Sequence, residues 1–377
     1  MSKNRILTIE QIKESENKFI SKNSEDQLLD IAGRKIGNFL LEKFKGKSVL
    51  FICGKGNNGK DGIKASKFLK EKIKNKVFLV SKIQSNTKLK TLQSVIKSHE
   101  IIVDCFFGTG LNRILSKFDQ KIIELINNSK RKIISVDIPS GLNSDTGQIL
   151  GSSIIASITI CMGFYKPAHF LIPSKNFCGE IILLKLPLKI KSKKKPKIHL
   201  LKKDKIYKSL PKHNNFISKY DKGHVAVIGG IMPGAARLVA FASRKVGAGL
   251  STILVTSNHL KYYSNCEPGT IVSEYSDKQL LKKDVLVVGP GLGKDYDKNL
   301  IKKIIFNFDG KIIVDADAIS IFENQKKEFY QLIKKKKSLL LTPHKGEFKK
   351  IFESSENKIM DCVNASRLIS NTVLYKG

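Results

Sequence analysis

The sequence predicts an α/β protein of two domains, each built on a parallel sheet covered by helices on both faces. Three observations carry this expectation. The chain is 377 residues long, more than one typical domain. Short continuous apolar runs alternate with lysine-rich helical stretches, the pattern of strands buried on both sides. The runs end in turns bearing glycine and aspartate, at the strand edge where open α/β sheets place their ligands.

The elements follow in chain order. The first forty residues read as helix, with Ser24, Glu25 and Asp26 as a start signal. Leu28, Leu29, Ile31, Ala32, Ile36, Phe39 and Leu40 form its apolar stripe. Strand-like runs come next at Ser48 to Cys53, Val77 to Val80, Ile101 to Phe107, Ile133 to Ile138, Ser157 to Met162 and Ile181 to Leu184. The stretch Lys189 to Lys197, K-I-K-S-K-K-K-P-K, has no apolar period and contains a proline. It reads as a linker reaching to about residue 204. A second α/β pattern then runs through His224 to Ile228, Ser251 to Thr256, Val285 to Val288, Lys311 to Val314 and Ser338 to Leu341. Ala235, Ala236, Leu238, Val239, Phe241 and Ala242 mark the helix after its first strand.

Lys and Arg number 68 against 33 Asp and Glu, a net charge of +35. Taken alone, that points to nucleic acid or an anionic surface. Lys far outnumbers Arg, however, whereas bidentate phosphate recognition favours Arg. The lysines are also spread along the whole chain, as solvated helix faces. RNA-binding modules present aromatics on basic strands. Here there is no Trp and most Phe lie in apolar runs, so no specific nucleic-acid partner is expected. The six cysteines, Cys53, Cys105, Cys161, Cys178, Cys266 and Cys362, form no C-x-x-C pair, which argues against zinc. Reduced thiols and a cytoplasmic location fit best. The start, M-S-K-N-R-I-L-T-I-E, has no apolar signal core, and no stretch approaches a membrane span. Oligomeric state stays open, a homo-oligomer included.

Three strand ends of the first half carry chemistry. Cys53 to Gly62 reads C-G-K-G-N-N-G-K-D-G, between a strand and a helix-like segment. Glycines there let backbone approach an anion, and the next helix offers free N–H groups. This is neither the dinucleotide G-x-G-x-x-G fingerprint nor a P-loop. Asn57, Asn58 and Asp61 sharpen it with oxygen-bearing groups. Val103-Asp104-Cys105-Phe106-Phe107-Gly108-Thr109-Gly110-Leu111 repeats the design, and Val136-Asp137-Ile138-Pro139-Ser140-Gly141-Leu142-Asn143 does so again. One Asp in an apolar strand is costly and is often only a satisfied cap. Asp61, Asp104 and Asp137 at one sheet edge are better explained as a site. Asn58, Asp104 and Ser140 offer oxygen ligands for a monovalent or hard cation.

These three motifs, in this order, resemble those of the NAD(P)H-hydrate epimerase family. Its pattern is C-G-x-G-N-N-G-G-D-G, V-D-x-x-x-G-T-G-L and V-D-I-P-S-G-L-x-x-D-T-G, and Asp145-Thr146-Gly147 and Lys166-Pro167 also match. The resemblance covers roughly residues 5 to 190, within a domain placed at 1–200. It implies a Rossmann-like three-layer α/β sandwich, an isomerase that equilibrates the R and S forms of NADHX and NADPHX. By the same resemblance Asn57, Asn58, Gly59, Lys60 and Asp61 contact the substrate. So do Gly108, Thr109, Gly110, Leu111, Asn112, Arg113 and Ile114, together with Asp137. Asn58, Asp104 and Ser140 would hold K+. Asp137 is the expected proton-handling carboxylate, because inverting the hydrated carbon needs an acid/base group nearby. One position departs: the family has Gly where this chain has Lys60. A backbone needing φ > 0 there would cost Lys about 1 kcal/mol. Ordinary geometry would instead leave Lys60 as a cation near the substrate's phosphates.

The second half repeats the arrangement of glycine-rich and Asp-bearing strand ends. They are Gly229-Gly230 before Pro233-Gly234-Ala235, then Gly289-Pro290-Gly291-Leu292-Gly293, Asp315-Ala316-Asp317 and Thr342-Pro343-His344-Lys345-Gly346-Glu347. Read alone, the Gly-Ala runs are close packing and His344 is a loop histidine. From about residue 205 to 377 the chain resembles the ADP- or ATP-dependent NAD(P)H-hydrate dehydratase family, a lyase with a ribokinase-like α/β fold. The two families are commonly fused in this order in bacteria. The resemblance implies that Ala235, Gly291 and His344 contact the hydrate. It also implies that Lys376 and Gly377 begin a K-G-x-x-T segment that binds ADP or ATP with Mg2+. The family's later G-T-G-D motif, which supplies phosphate-binding N–H groups and a base, occurs nowhere in the sequence. The expectation is therefore an incomplete second domain, inactive as a dehydratase. Two rival readings are a ribokinase-like small-molecule kinase, whose own anion hole is absent too, and a noncatalytic nucleotide- or RNA-binding protein.

Overall fold

The computed structural model describes residues 5–80, 86–190, 196–211 and 216–377. They fall into two compact units, Met1–Ser209 and Leu210–Gly377. Of the predicted linker, residues 191–195 lie outside the described residues.

In chain order the first unit holds β1 (Arg5–Ile6), α1 (Ile9–Ile20), α2 (Glu25–Lys43), β2 (Val49–Cys53), α3 (Asn57–Leu69), β3 (Asn75–Leu79) and α4 (Asn86–Lys97). It continues with β4 (Ile101–Cys105), α5 (Lys117–Asn127), β5 (Lys132–Val136), β6 (Ile158–Met162), β7 (Glu180–Leu184), β8 (Ile198–His199) and α6 (Lys203–Ser209). The helix expected over the first forty residues is two helices, each with its own cap. Thr8 and Gln11 form a reciprocal capping box on α1, and Ser24 accepts the Gln27 N–H to start α2. Part of the predicted linker is structured: β8 pairs antiparallel with β1.

Strands β2 to β7 form one parallel sheet in the order β3-β2-β4-β5-β6-β7. Its apolar runs are continuous because both faces are covered. Val49, Phe51 and Cys53 pack with Ala32, Ile36 and Leu40 of α2 and Ala65 and Leu69 of α3. Leu50 and Ile52, pointing the other way, pack with Leu92 and Ile96 of α4 and Ile122 and Ile126 of α5. The result is the three-layer arrangement expected.

The second unit holds β9 (His224–Ile228), α7 (Pro233–Lys245), β10 (Leu250–Val255), β11 (Thr270–Glu274), α8 (Asp277–Leu281), β12 (Val285–Val288) and α9 (Lys298–Asn307). Then come β13 (Lys311–Val314), α10 (Asp317–Ser320), α11 (Lys326–Lys334), β14 (Leu339–Leu341), α12 (Lys345–Ile351), α13 (Lys358–Ile369) and β15 (Thr372–Val373). Its sheet is also parallel, in the order β11-β10-β9-β12-β13-β14-β15. The sequence reading missed β11 and β15. They are the two edge strands, β11 only half-buried and β15 two residues long, and neither leaves a continuous apolar run. One face packs α9, α11, α12 and α13 against Ile228, Val288, Val314 and Leu341. On the other face Ala236 and Ala240 of α7 cover Val225, Val227 and Ile253. No helix among the described residues is long and apolar enough to cross a membrane.

Candidate active site

The order of the first sheet reverses between β2 and β4. From β2 the chain runs outward to β3, then returns to lay β4 on the opposite side of β2. Loops leaving the carboxyl ends of these two strands diverge and open a crevice between them. A cavity of about 740 Å³ lies there. The turn after β2 lines it with Gly54, Asn57, Asn58 and Asp61, and the loop after β4 with Phe106 to Arg113. Asp137, just past β5, lines it as well. Helix α1 adds Ile9, Ile12, Lys13 and Glu16, which the sequence reading did not select. Two backbone N–H donors hold α1 in place: that of Ile9 donates to the Asp145 carboxylate (2.9 Å) and that of Leu7 to the Tyr165 carbonyl (2.9 Å). The amphipathic pattern of α1 was the available signal, but nothing local says what its polar side faces.

Ten of the predicted contact residues line this cavity: Asn57, Asn58, Asp61, Gly108, Thr109, Gly110, Leu111, Asn112, Arg113 and Asp137. Gly59, Lys60 and Ile114 do not. Gly59 is packed against the turn, where an added Cβ would meet the Gly54 carbonyl oxygen at 2.1 Å. Lys60 lies in α3 with ordinary helical backbone, so the anticipated φ > 0 strain does not arise. Its Nζ pairs with Glu25 Oε1 at 2.8 Å on the surface, not with anything in the cavity. Ile114 faces outward, 73% exposed.

Asp137 sits in the left-handed region, φ 68°, which Asp tolerates better than most residues. That turn directs its carboxylate toward the segment after β6. Oδ1 accepts the Met162 N–H (3.0 Å) and the Nζ of Lys166. Lys166 is 1% exposed and also donates to the Met162 carbonyl (2.9 Å). Burial alone lowers a lysine's pKa, but Asp137, Cys161 and Glu16 outweigh it and Lys166 titrates above its ordinary value. It is a fixed cation. His169 completes the array. Its Nδ1 accepts the Lys166 backbone N–H (3.1 Å), so Nε2 carries the proton and donates to the Asp137 carbonyl (2.8 Å). Burial, reinforced by Lys166, pushes His169 down to about 4, and the ring stays neutral. Lys166 and His169 were not selected from the sequence. The signal was a lysine inside an otherwise apolar segment, Cys161 to Phe170.

Asp61 and Glu16 face the same cavity with a different balance. Burial, then Asp137 and Glu16, hold Asp61 well above the usual carboxylate range. Burial, then Asp137, raises Glu16 also.

Asp104 does not line the cavity. It is fully buried in β4 and accepts four hydrogen bonds: Ser140 Oγ (2.5 Å), Ser140 N–H (2.9 Å), Ser135 Oγ (2.8 Å) and Phe106 N–H (3.2 Å). Burial raises its pKa against the pull of those donors. Ser140 Oγ also accepts the Phe107 N–H (2.8 Å). Asn58 completes the cluster, donating from Nδ2 to the Phe107 carbonyl (2.7 Å). Its Oδ1 is buried without a hydrogen-bond partner among the described residues. A buried orphan acceptor linked through Phe107 and Ser140 to a buried carboxylate fits an oxygen-ligated cation. Of the three predicted ligands, Asn58 has the open oxygen, while Asp104 and Ser140 are largely committed to each other.

In the second unit the sheet order reverses between β9 and β12. Ala235 and Gly291 meet at that reversal. Gly291 has φ 74°, its carbonyl accepts the Met232 N–H (3.1 Å), and an added Cβ would lie 3.0 Å from that of Ala235. The Gly293 N–H donates to Asp317 (2.9 Å), binding this turn to the end of β13. His344 caps α12: its Nδ1 accepts the Gly346 N–H (2.9 Å), and Nε2 lies 3.0 Å from Glu347. Its side chain remains 59% exposed, so the cap leaves room for a ligand contact. Lys376 pairs with Asp315 at 2.6 Å, and the adjoining Gly377 has φ 105°.

Comparison with known proteins follows these two units. Residues 25–93 and 79–168 match the family described as YjeF-related protein N-terminus. Residues 225–377 match the family described as NAD(P)H-hydrate dehydratase. The chain is 29% identical to the bifunctional NAD(P)H-hydrate repair enzyme of Dictyoglomus turgidum, over 94% of this chain and 77% of that protein. It is 28% identical to the enzyme of the same name from Coxiella burnetii, over 89% and 73%. Among solved structures, a ribokinase-like superfamily protein from Enterococcus faecalis is similar to 47% of this chain and 65% of its own, at 21% identity and a TM-score of 0.40.

Proposed function

The chain belongs to the bifunctional NAD(P)H-hydrate repair enzymes, and from that premise we propose that its first unit interconverts the R and S epimers of hydrated NADH and NADPH. The observation that supports this reading most is the Asp137–Lys166–His169 array on the cavity between the β2 and β4 loops. Hydration of a dihydronicotinamide places a hydroxyl on a ring carbon, and inverting that carbon requires a positioned proton acceptor. Asp137 is that acceptor. Lys166 pairs with its carboxylate, and His169 fixes the backbone turn that aims it. Neutral His169 does this without adding a second positive charge.

Asn57, Asn58 and Asp61, with Gly108 to Arg113, form the walls that receive the nicotinamide and its phosphates. Gly56, extended with no side-chain cap, leaves the first N–H groups of α3 open at the cavity. A potassium ion is assigned to the Asn58, Asp104 and Ser140 cluster. Asn58 Oδ1 supplies the open ligand and Asp104 the compensating charge, and the ion would pin the β4 loop against α3. It supplies charge and rigidity and takes no part in the proton transfer.

The second unit is assigned binding of the S hydrate, with Ala235, Gly291 and His344 on the hydrate side. The G-T-G-D motif that would supply the phosphate-binding N–H groups and the base is not in the sequence, so dehydration itself is not assigned to these residues. Lys376 and Gly377 are assigned to an adenine nucleotide with Mg2+. The ion pair of Lys376 with Asp315 supports this by holding the lysine at the end of the sheet.

The test supplies the purified chain with one epimer of hydrated NADH and follows both by chiral separation. The expected result is an approach to the R/S equilibrium well above the rate in buffer. A rate equal to buffer, from folded protein, contradicts the reading.

A further inference from the structure

We propose that Asp61 is the proton donor of the first unit's site, working opposite Asp137 as acceptor, so that the hydrated carbon is inverted by opening and reclosing the ring. This rests on the epimerase reading above. The two carboxyl groups line one cavity from different elements, Asp61 from the first turns of α3 and Asp137 from the end of β5.

Their surroundings are opposite. Asp137 receives a lysine ammonium and a backbone N–H. Asp61 makes no hydrogen bond or ion pair among the described residues. Burial without donors favours the protonated form of Asp61, whereas the Asp137 carboxyl is paired with a buried ammonium and a backbone N–H. Two carboxyls in such different surroundings on one cavity are placed to serve as acid and base. The groups facing Asp61 reinforce the asymmetry. Glu16 of α1 and Asp137 act against its ionisation, and Lys166 and Lys60 act the other way but more weakly. Cys105 of β4 stays a neutral thiol, because burial raises its pKa well above the ordinary value.

The chemistry needs both partners. Water adds to the enamine bond of a dihydronicotinamide with its oxygen on the carbon beside the ring nitrogen, since the nitrogen lone pair polarises the bond that way. The product is a carbinolamine. Asp137 takes the hydroxyl proton, and the O–H electron pair becomes the second bond of a carbonyl. The carbon–nitrogen bond breaks, its electron pair goes to nitrogen, and Asp61 protonates that nitrogen. Rotation about the adjacent carbon–carbon bond presents the other face of the aldehyde. Nitrogen attacks again, returning its proton to Asp61, and Asp137 returns its proton to oxygen. Both carboxyls end as they began, and no co-reactant is consumed. One carboxyl does not suffice, because the proton leaves oxygen as another reaches nitrogen.

The experiment compares full-length wild type, Asp61→Asn and Asp61→Glu for epimer interconversion between about pH 5 and 10. For Asp61→Asn the expectation is a kcat at least 100-fold lower, roughly the worth of one general acid. KM should stay within a few-fold, and the alkaline limb of the pH profile should disappear. Asp61→Glu should recover part of the rate and keep the limb. Carbon-13 NMR of the substrate-free wild type supplies a readout that no variant's folding affects: the Asp61 carboxyl should titrate above the normal carboxylate range, and Glu16→Gln should bring it down. An active Asp61→Asn chain that keeps its alkaline limb and loses only in KM overturns the proposal alone. So does an Asp61 carboxyl that titrates in the ordinary range. A wild-type chain that leaves the epimers unchanged removes the epimerase reading and the proposal with it.

Discussion

The Asp137 carboxylate and the Lys166 ammonium form an ion pair across 29 residues of sequence, with Lys166 wholly buried and Asp137 at the cavity wall. The pair couples the end of β5 to the segment after β6. The Asp137 charge is compensated from the protein side, and its open side is left to substrate.

Lys166→Met should therefore cost both stability and rate. Removing one partner of a buried pair leaves the other uncompensated, typically about 3–5 kcal/mol. The expected kcat for epimerisation falls by roughly 100-fold, the scale of losing one proton-transfer group. Lys166→Arg should not restore it, because the planar guanidinium cannot replace a compact ammonium held between Asp137 and the Met162 carbonyl. Wild-type kcat in folded Lys166→Met would assign the pair to structure alone.

His169 gives the first unit an acid sensitivity of known sign. Its folded pKa, about 4, lies below the ordinary 6.5. Between those values the unfolded chain binds a proton that the native one refuses, so stability falls as pH drops from about 6.5 toward 4. The slope from one such group is about 1.4 kcal/mol per pH unit. Urea unfolding of His169→Gln, compared with wild type at several pH values, should show that part of the slope missing. Parallel curves would mean that His169 is not held neutral.

For the cation, Asn58→Ala is the informative substitution. Asp104→Ala would orphan buried donors on Ser135, Ser140 and Phe106, and the fold would suffer before the ion did. Asn58→Ala removes the unpartnered oxygen at smaller structural cost. Its half-saturating potassium concentration should rise several-fold, measured with sodium keeping ionic strength constant. An unmoved potassium curve would place the ion elsewhere.

In the second unit, Gly291→Ala should lower the unfolding temperature. A Cβ there meets the Met232 carbonyl oxygen at 2.4 Å on a backbone with φ 74°. Strain of that kind costs about 1 kcal/mol for the dihedral, with roughly 1–3 kcal/mol more for overpacking. An unchanged melting profile by circular dichroism would show that the turn relaxes freely.

The parallel sheets were legible because strands buried on both faces must be apolar throughout, as Val49 to Cys53 is. The strand ends were legible because Gly108 and Gly291 are forced by close approach: a Cβ on Gly108 would sit 2.9 Å from that of Asn58. The site's other half was not legible. Glu16 and His169 carry no local pattern of their own, and Lys166 shows only as a lysine in an apolar segment, which does not say what it pairs with. Their roles come from tertiary placement, α1 held by Asp145 and Lys166 turned into the core toward Asp137. Lys60 failed in the opposite direction: a motif position suggested a ligand contact, but the helix carries its ammonium to Glu25.

Asp137 carries the account, and Asp137→Asn tests it most directly. Asn accepts the left-handed backbone that position 137 requires, so the turn is preserved. The double variant Asp137→Asn/Lys166→Met controls for the lysine left unpaired. The measurement is the initial rate at which a single epimer of hydrated NADH approaches the R/S mixture, with folding checked by circular dichroism. The prediction is a fall of at least 100-fold in both variants. A folded Asp137→Asn chain that equilibrates the epimers within a few-fold of wild type would contradict the assignment.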